Sequence, residues 1–258
     1  MPSPLTFLFL LLAAGLAGFI DGAVGGGGLI SVPAMFVALP GFATTTLLGS
    51  NKVVACAGTT FAAAQFVRSG IVPFREMIGP MAAAAAGAAL GARTAYFFEG
   101  RFESYMRPLM LAMMVGMLLF TLLKPQLGAA HAPRHGLGFR TLLATLLSLA
   151  IGFYDGFFGP GTGTLLIFAF VALLGFDFLR ASAMSKAVNW ASNIASLTLF
   201  IFNGSWLPLL AISMAAANGA GGFLGAKMAL AKGSKWVRAL FALVVSGLIL
   251  RLAWQQFL

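Results

Sequence analysis

The sequence predicts an all-α polytopic membrane protein made of two homologous repeats, and two observations lead to that fold class. Of the 258 residues, 60% are apolar and 9% are charged, whereas a soluble domain carries about 25% charged residues. The chain also overlays on itself without a gap when it is shifted by 134 positions. The net charge of +10 does not indicate nucleic-acid binding, because the Lys and Arg residues lie mostly in short loops between apolar runs.

The internal repeat rests on uncommon residues that recur in one register. The first glycine-rich motif returns in the second half, where Gly18, Phe19, Asp21, Gly22, Gly25 and Gly27 become Gly152, Phe153, Asp155, Gly156, Gly159 and Gly161. Lys52 returns as Lys186 at the same offset. We therefore expect a first membrane repeat at residues 1–124, a polar linker at 125–139 and a second membrane repeat at 140–258.

Each repeat is predicted to contain five apolar segments. Those of the first repeat are roughly Leu5–Ile20, Gly28–Leu39, Thr44–Val67, Phe74–Phe97 and Tyr105–Leu123. Those of the second are roughly Arg140–Tyr154, Gly163–Leu174, Leu179–Phe202, Trp206–Ala231 and Trp236–Trp254. The first segment is expected to stay in the membrane rather than be cleaved as a signal peptide, because no Lys or Arg precedes Lys52.

The second segment of each repeat is short for a membrane crossing. Twelve to fourteen helical residues rise about 20 Å, against a hydrocarbon core of about 30 Å. Each short segment follows a glycine-rich stretch, so we predict a full helix, an unwound turn and a half-helix. Whether segments 28–39 and 163–174 cross completely is left open, which gives about 8–10 transmembrane segments.

The distribution of basic residues favours inverted repeats in an inner membrane. If the N-terminus is outside and every segment crosses, the cytoplasmic side holds Arg68, Arg75, Lys124, Arg134, Arg140, Arg180, Lys227, Lys232, Lys235 and Arg238. The outer side then holds only Arg93, Arg101 and Arg107, in agreement with the positive-inside rule. Five crossings per repeat invert the second repeat, and the two glycine breaks would then meet near the midplane.

The glycine-rich motifs are the first candidate substrate site. Their residues are Gly25, Gly26 and Gly27 in the first copy and Gly159, Gly161 and Thr162 in the second. Glycine lets the backbone turn sharply and lets a ligand approach the main chain. A half-helix that begins at such a turn directs N–H groups and partial positive charge at a small anion. The alternative is that these glycines serve tight helix packing, as expected for Gly87, Gly91, Gly221 and Gly225 with their GxxxG spacing.

Four charged residues inside apolar runs are the second candidate. Asp21 and Asp155 are predicted to bind a coupling proton or cation, to neutralise the lysines, or to cap the glycine turns. Lys52 and Lys186 lie about 12 Å into their helices at 1.5 Å per residue, which marks an ion or substrate path. The alternative is a structural pair within each repeat, Lys52 with Asp21 or Lys186 with Asp155.

Amide and hydroxyl side chains accompany the two lysines. Lys186, Asn189 and Asn193 fall at i, i+3 and i+7 and form one polar stripe on an apolar helix. Asn51 and Ser185 directly precede the lysines. We count Asn51, Ser185, Asn189 and Asn193 among the candidate substrate-binding residues.

The motifs resemble those of the sulfite exporter TauE/SafE family, also called the toluene sulfonate uptake permease group. The resemblance rests on GFIDGAVGGGGLISVPA, LGSNKVV, GFYDGFFGPGTG and AMSKAVNWASNIASL, in that order. It implies a bacterial inner-membrane permease for sulfite, sulfoacetate or another small organosulfur anion, with proton coupling. Pro160 and Thr162 stand in the second motif where the first has glycine, so the two half-sites are not equivalent.

The expected function is a secondary transporter for small anions that works by alternating access at a site between the repeats. An anion channel without ion coupling is the alternative. The sequence implies no cofactor and no metal, because His131 and His135 lie in a Pro/Gly-rich linker without an acidic or Cys partner nearby. An enzyme is not expected, since no histidine lies in a membrane segment. The partners are the lipid bilayer, a small anion and a coupling proton or cation.

Overall fold

The computed structural model describes residues 3–97 and 136–257, and in these ranges the chain forms eight helices and their connections, without strands. The helices of the N-terminal half are α1 (Pro4–Val24), α2 (Gly28–Ala38), α3 (Thr44–Arg68) and α4 (Phe74–Phe97). Those of the C-terminal half are α5 (Leu137–Phe157), α6 (Thr162–Leu174), α7 (Phe178–Phe202) and α8 (Pro208–Phe257). The predicted segment Tyr105–Leu123, His131 and His135 lie outside the described residues.

Within residues 3–97 and 136–257, three helical stretches combine the length and hydropathy needed to cross a bilayer. They are α1, α5 and the part of α8 that spans Pro208–Val237. The outward faces of α1 and α5 carry exposed apolar side chains: Leu5, Leu8, Leu12 and Leu16 on α1, and Leu142, Leu146, Leu149 and Phe153 on α5. Apolar faces of this extent are unusual in soluble monomers, and lipid contact explains them.

Both glycine-rich motifs break a helix, as the sequence predicts. Helix α1 ends at Val24, and the chain turns through Gly25 (φ 79°) and Gly26 (φ 93°) before α2 begins. In the C-terminal half the turn uses Gly159 (φ 93°) and Gly161 (φ 83°). L-residues with a Cβ rarely adopt these positive φ values, which explains the glycines. The 11 residues of α2 and 13 of α6 rise only about 16 and 20 Å.

The long helices begin and end close to the predicted positions. Helices α3 and α7 each have 25 residues, and their first residues are 134 positions apart. At the start of α7, Asp177 accepts hydrogen bonds from the backbone N–H groups of Leu179 (2.9 Å) and Arg180 (3.0 Å), which is a standard N-cap. The predicted segments Trp206–Ala231 and Trp236–Trp254 correspond to the two helical parts of α8, which meet at a kink where Gly233 has non-helical dihedrals (φ 74°, ψ −173°).

The two halves interlock through glycines. A Cβ on Gly87 or Gly91 of α4 would collide with the backbone oxygen of Leu149 or Phe153 in α5. Helix α8 packs on α1 in the same way, with Gly221 and Gly225 against the carbonyl oxygens of Gly15 and Phe19. The packing role expected for these glycines is thereby confirmed. Each of these contacts joins a helix of the N-terminal half to a helix of the C-terminal half, so the two halves are intertwined rather than side by side.

Candidate functional site

The two glycine breaks touch each other in the interior of the protein. A Cβ built on Gly163 would lie 3.1 Å from Cα of Gly25, and one built on Gly28 would lie 3.3 Å from Cα of Pro160. Beside this contact is a cavity of about 30 Å³, which has room for a few water molecules, since one needs about 10–15 Å³. Both halves contribute to its wall, so it is the place where a ligand would contact both breaks.

Within the described residues, two lysine–aspartate ion pairs connect the halves, and each joins the lysine of one half to the aspartate of the other. Lys52 Nζ lies 2.8 Å from Asp155 Oδ2, and Lys186 Nζ lies 3.9 Å from Asp21 Oδ2. The alternative of pairs within each repeat is therefore wrong. The physical reason is the contact between the breaks, which turns each aspartate towards the long helix of the opposite half. We call these contacts the crossed ion pairs.

Asp155 has strong donors on both carboxylate oxygens. The hydroxyl of Thr162 lies 2.7 Å from Oδ1, and the hydroxyl of Ser192 donates to Oδ2 at 2.8 Å. Together with Lys52, these contacts compensate a carboxylate that is only 2% exposed. Hydrogen bonds to a charged acceptor are stronger than neutral ones, so these contacts hold the Asp155 side chain firmly in one position.

The amide side chains of Asn189 and Asn193 on α7 also help to hold Lys52. Its ammonium donates to Asn193 Oδ1 at 3.1 Å, and Asn193 Nδ2 lies 3.4 Å from Asn189 Oδ1. The Lys52 side chain is 4% exposed, so it is nearly withdrawn from solvent. An ammonium, a carboxylate and two amides thus form one polar chain through the interior.

The second crossed pair is less well supported. Asp21 Oδ1 accepts a hydrogen bond from the backbone N–H of Gly27 at 3.3 Å, so this carboxylate caps the glycine turn as well as facing Lys186. Its other oxygen, Oδ2, has no hydrogen-bond partner within the part of the chain that the structure describes, and neither has Lys186 Nζ. Lys186 is fully buried, with 0% of its side chain exposed.

Most of the candidate residues line the cavity. Those that do are Asp21, Gly26, Gly27, Asn51, Lys52, Asp155, Gly159, Gly161, Thr162, Asn189 and Asn193. Three others lie behind the wall. Ser185 donates to the backbone oxygen of Gly163 at 2.9 Å, Gly25 packs against the backbone of Gly163 and Thr164, and Lys186 reaches the site only through Asp21.

Comparison with known proteins identifies the family. The family model described as sulfite exporter TauE/SafE matches residues 10–252. The chain belongs to this family. The chain is 37% identical over 244 residues to a probable membrane transporter protein, ORF9, of a Sinorhizobium species, with 95% of this chain and 91% of that one covered.

Further relatives carry similar names. One is the probable membrane transporter protein YfcA of Escherichia coli K12, which is 34% identical over 95% of this chain and 88% of its own length. Another is a probable membrane transporter protein of Haemophilus influenzae Rd, also 34% identical, over 96% of this chain and 95% of its own. No solved structure matches the chain. The resemblance inferred from the motifs is confirmed, and the TauE/SafE chain is a membrane transporter by family.

Two polar residues of the TauE/SafE cavity were not found by sequence reasoning. Ser31, in α2, donates to Asn51 Oδ1 at 2.6 Å. Asn218, in α8, donates through Nδ2 to the backbone oxygen of Ala14 at 2.8 Å and also lines the cavity. The residues at the 134-position offset from both are apolar, so the internal repeat did not mark either of them as a candidate site residue. A buried amide in an otherwise apolar helix was the available signal for Asn218, which is 4% exposed.

Proposed function

We propose that this protein is a secondary transporter for small anions, specifically sulfite or a small organosulfonate. The anion would bind in the cavity between the two halves and cross by alternating access. Membership of the TauE/SafE family supports the sulfur oxyanion, and the relatives' names support membrane transport in general. The observation that carries the proposal is a nearly buried lysine, Lys52, which lines a cavity at which two short helices begin.

The chemistry of the cavity wall suits an oxyanion. Among the described residues that line it, Lys52 is the only cation. Helices α2 and α6 begin at the same cavity, and the N-terminal end of a helix carries about half a positive charge and free N–H groups. The amides of Asn51, Asn189 and Asn193 add donors that can reach several oxygens of one ligand.

Binding would exchange one anion for another at Lys52. In the structure, the Asp155 carboxylate pairs with the Lys52 ammonium at 2.8 Å. The cavity of about 30 Å³ is too small for a substrate with its hydration shell. In this conformation, Asp155 is the anion that neutralises Lys52. Opening towards one side would separate Lys52 from Asp155 and leave the ammonium for the incoming anion.

The proposal includes two inverted repeats in a multi-pass inner-membrane protein. The matching start positions of α3 and α7, and the two glycine breaks at equivalent positions, support the repeat. The positive-inside count supports the inversion. Secondary transporters built from inverted repeats place their substrate at the repeat interface beside discontinuous helices, which is the arrangement that the cavity resembles.

Transport into proteoliposomes tests this function. Purified protein is reconstituted, and uptake of labelled sulfite and methanesulfonate is measured against protein-free liposomes. We expect saturable uptake that is accelerated by unlabelled anion on the opposite side, because a carrier reorients faster when loaded. Lys52→Gln combined with Asp155→Asn removes both charges of one crossed pair without leaving either unpaired, and should abolish uptake while the protein still elutes as a folded species.

Other results would lead to different conclusions. Uptake that does not saturate and shows no acceleration by anion on the opposite side would favour the channel alternative. Uptake by the double variant at the wild-type rate would remove Lys52 from the anion path. Absence of uptake of both anions by wild-type protein, under gradients of either direction, would contradict the proposed substrate class.

A further inference from the structure

The crossed ion pairs differ in how well their charges are satisfied, and the sequence encodes the difference. Asp155 receives hydroxyl groups from Thr162 and Ser192. At the 134-residue offset, these two residues are replaced by Gly28 and Gly58, which have no side chain to donate. The looser pair is therefore built into the chain, because the N-terminal half lacks the donors that the C-terminal half possesses.

The result is a buried acid and a buried base that are close to each other without a hydrogen bond. Asp21 Oδ2 and Lys186 Nζ are 3.9 Å apart, and both atoms lack a hydrogen-bond partner in the described ranges. An unsatisfied buried charge costs free energy. Protonation of Asp21 would give up fewer contacts, the 3.9 Å pair with Lys186 and the Gly27 N–H, whereas protonation of Asp155 would give up the contacts with Lys52, Thr162 and Ser192.

We propose that the two crossed ion pairs have different roles in transport. Asp21, beside Lys186, binds one coupling proton for each monovalent anion that binds at Lys52. This inference rests on the proposed transport function. Asp155 then serves as the fixed counter-charge that holds Lys52 between substrates. The proton comes from water on one side, forms an O–H bond with Asp21 Oδ2, and returns to water on the other side, so no other reactant is needed.

A proton fits this position better than a metal cation. The ammonium of Lys186, 3.9 Å from Asp21 Oδ2, would repel a cation. Across the described ranges, no three His, Cys, Asp or Glu side chains come together to hold a metal, and cations such as Na⁺ or Ca²⁺ need several oxygen ligands. A proton needs only one carboxylate oxygen, which Asp21 supplies.

The charged groups around Asp21 set the stoichiometry. Lys186 faces it from α7, and Lys52 of α3 and Asp155 of α5 lie across the cavity. Helices α2, α6 and α8 contribute Ser31, Thr162 and Asn218 to the cavity wall but no ionisable side chain. The two lysines and two aspartates sum to zero charge, one proton makes the site +1, and one monovalent anion restores neutrality. Since net charge is costly in a low-dielectric interior, we expect one proton per monovalent anion and electroneutral transport.

The experiment separates coupled accumulation from exchange. Proteoliposomes are given a pH gradient of one unit, alkaline inside, and methanesulfonate is the probe because it stays a monovalent anion at every pH used. Wild-type protein should accumulate it about tenfold, since one proton per anion converts one pH unit into one decade of concentration. Clamping the membrane potential at different values with valinomycin and potassium should leave this ratio unchanged.

The test variant is Asp21→Asn combined with Lys186→Gln, which removes both charges of the looser pair and leaves no uncompensated lysine. Its accumulation should fall from about tenfold to about onefold. Exchange of labelled for unlabelled methanesulfonate without a gradient should remain detectable but slower than in wild type, because the anion then binds without a neutralising proton. Glu76→Gln is the matched control, because it removes a carboxylate that pairs with Arg140 at 3.1 Å and does not line the cavity. This control should accumulate and exchange as wild type does.

Several outcomes would contradict the separate roles of the two crossed ion pairs without contradicting the proposed transport function. One is undiminished accumulation by the Asp21→Asn/Lys186→Gln variant. Another is a folded variant that loses exchange as well, which would place the pair in anion binding. A third is wild-type exchange without accumulation under the pH gradient. If wild type carries sulfite but not methanesulfonate, the same comparison is made with sulfite after subtraction of protein-free liposomes. A wild type that exchanges neither anion would contradict the proposed function itself, and the inference with it.

Discussion

Lys52 of α3 donates to Asp155 of α5 over 2.8 Å, so a lysine in one half of the chain is neutralised by an aspartate in the other. Lys186 and Asp21 repeat the exchange in the opposite direction. A movement of one half against the other would therefore change the geometry of both contacts. In the proposed cycle, this makes the charge state of the cavity depend on the relative position of the halves.

The Lys52–Asp155 pair is expected to be important for stability as well as for transport. Asp155→Asn leaves the ammonium of Lys52 in a site that is 4% exposed, and breaking a buried pair on one side costs about 3–5 kcal/mol. The thermal unfolding midpoint in detergent should fall accordingly. Lys52→Gln with Asp155→Asn should recover most of the loss, because no buried charge is left.

Glu76→Gln, which breaks a more exposed pair, should cost at most about 1 kcal/mol. Equal destabilisation by all three variants would contradict this explanation.

Asn193 is expected to affect substrate affinity more than turnover. It accepts a hydrogen bond from Lys52 at 3.1 Å and lines the cavity. Asn193→Ala should raise the KM for methanesulfonate or sulfite about tenfold, since a hydrogen bond to a charged group contributes about 1.5 kcal/mol or more. Asn203→Ala is the matched control, because that exposed amide donates to the backbone oxygen of Leu199 in its own helix (2.8 Å) and does not line the cavity. A KM that stays at the wild-type value in Asn193→Ala would remove this amide from the substrate site.

The glycines between α4 and α5 are expected to tolerate no side chain. A Cβ on Gly91 would collide with the backbone oxygen of Phe153, which cannot move without shifting the whole helix. Gly91→Ala should therefore lower the yield of folded protein and its unfolding temperature. Gly138→Ala in α5 is the control, because no atom of the described residues lies within 4 Å of its Cβ position and Ala stabilises a helix by up to about 1 kcal/mol relative to Gly. If the two variants behave alike, close helix packing is not the role of Gly91.

The elements that sequence reasoning located well are those marked by local chemistry. The glycine breaks were predictable because only glycine adopts the positive φ values found at Gly25 and Gly159. Helix α3 begins at Thr44 as predicted. The break between the predicted segments Trp206–Ala231 and Trp236–Trp254 likewise coincides with the kink of α8 at Gly233.

The site was predictable in its residue types but not in its pairing. The rarity of charge in apolar runs was enough to select Lys52 and Asp155. Which lysine meets which aspartate depends on how the halves pack, and sequence spacing within one half carries no information about that. The same limit explains why Lys186 was expected at the substrate, although it lies behind Asp21. Asn218 comes from α8, at the far end of the chain from Asp21, and only the folded arrangement brings it to the cavity.

Inverted topology is testable at two equivalent exposed positions. Ser69 follows α3, Asn203 follows α7, and the two are 134 residues apart. If every segment crosses and the N-terminus is outside, Ser69 lies on the cytoplasmic side with Arg68, and Asn203 lies on the outer side. Single cysteines at these positions, in a Cys56→Ala background that removes the buried native thiol, should react with a membrane-impermeant maleimide from opposite sides of the membrane. In intact cells we expect labelling of Asn203→Cys alone, and in inverted vesicles labelling of Ser69→Cys alone. Reaction of both cysteines from one side would mean that α2 and α6 enter and leave by the same face, and the repeats would then be parallel.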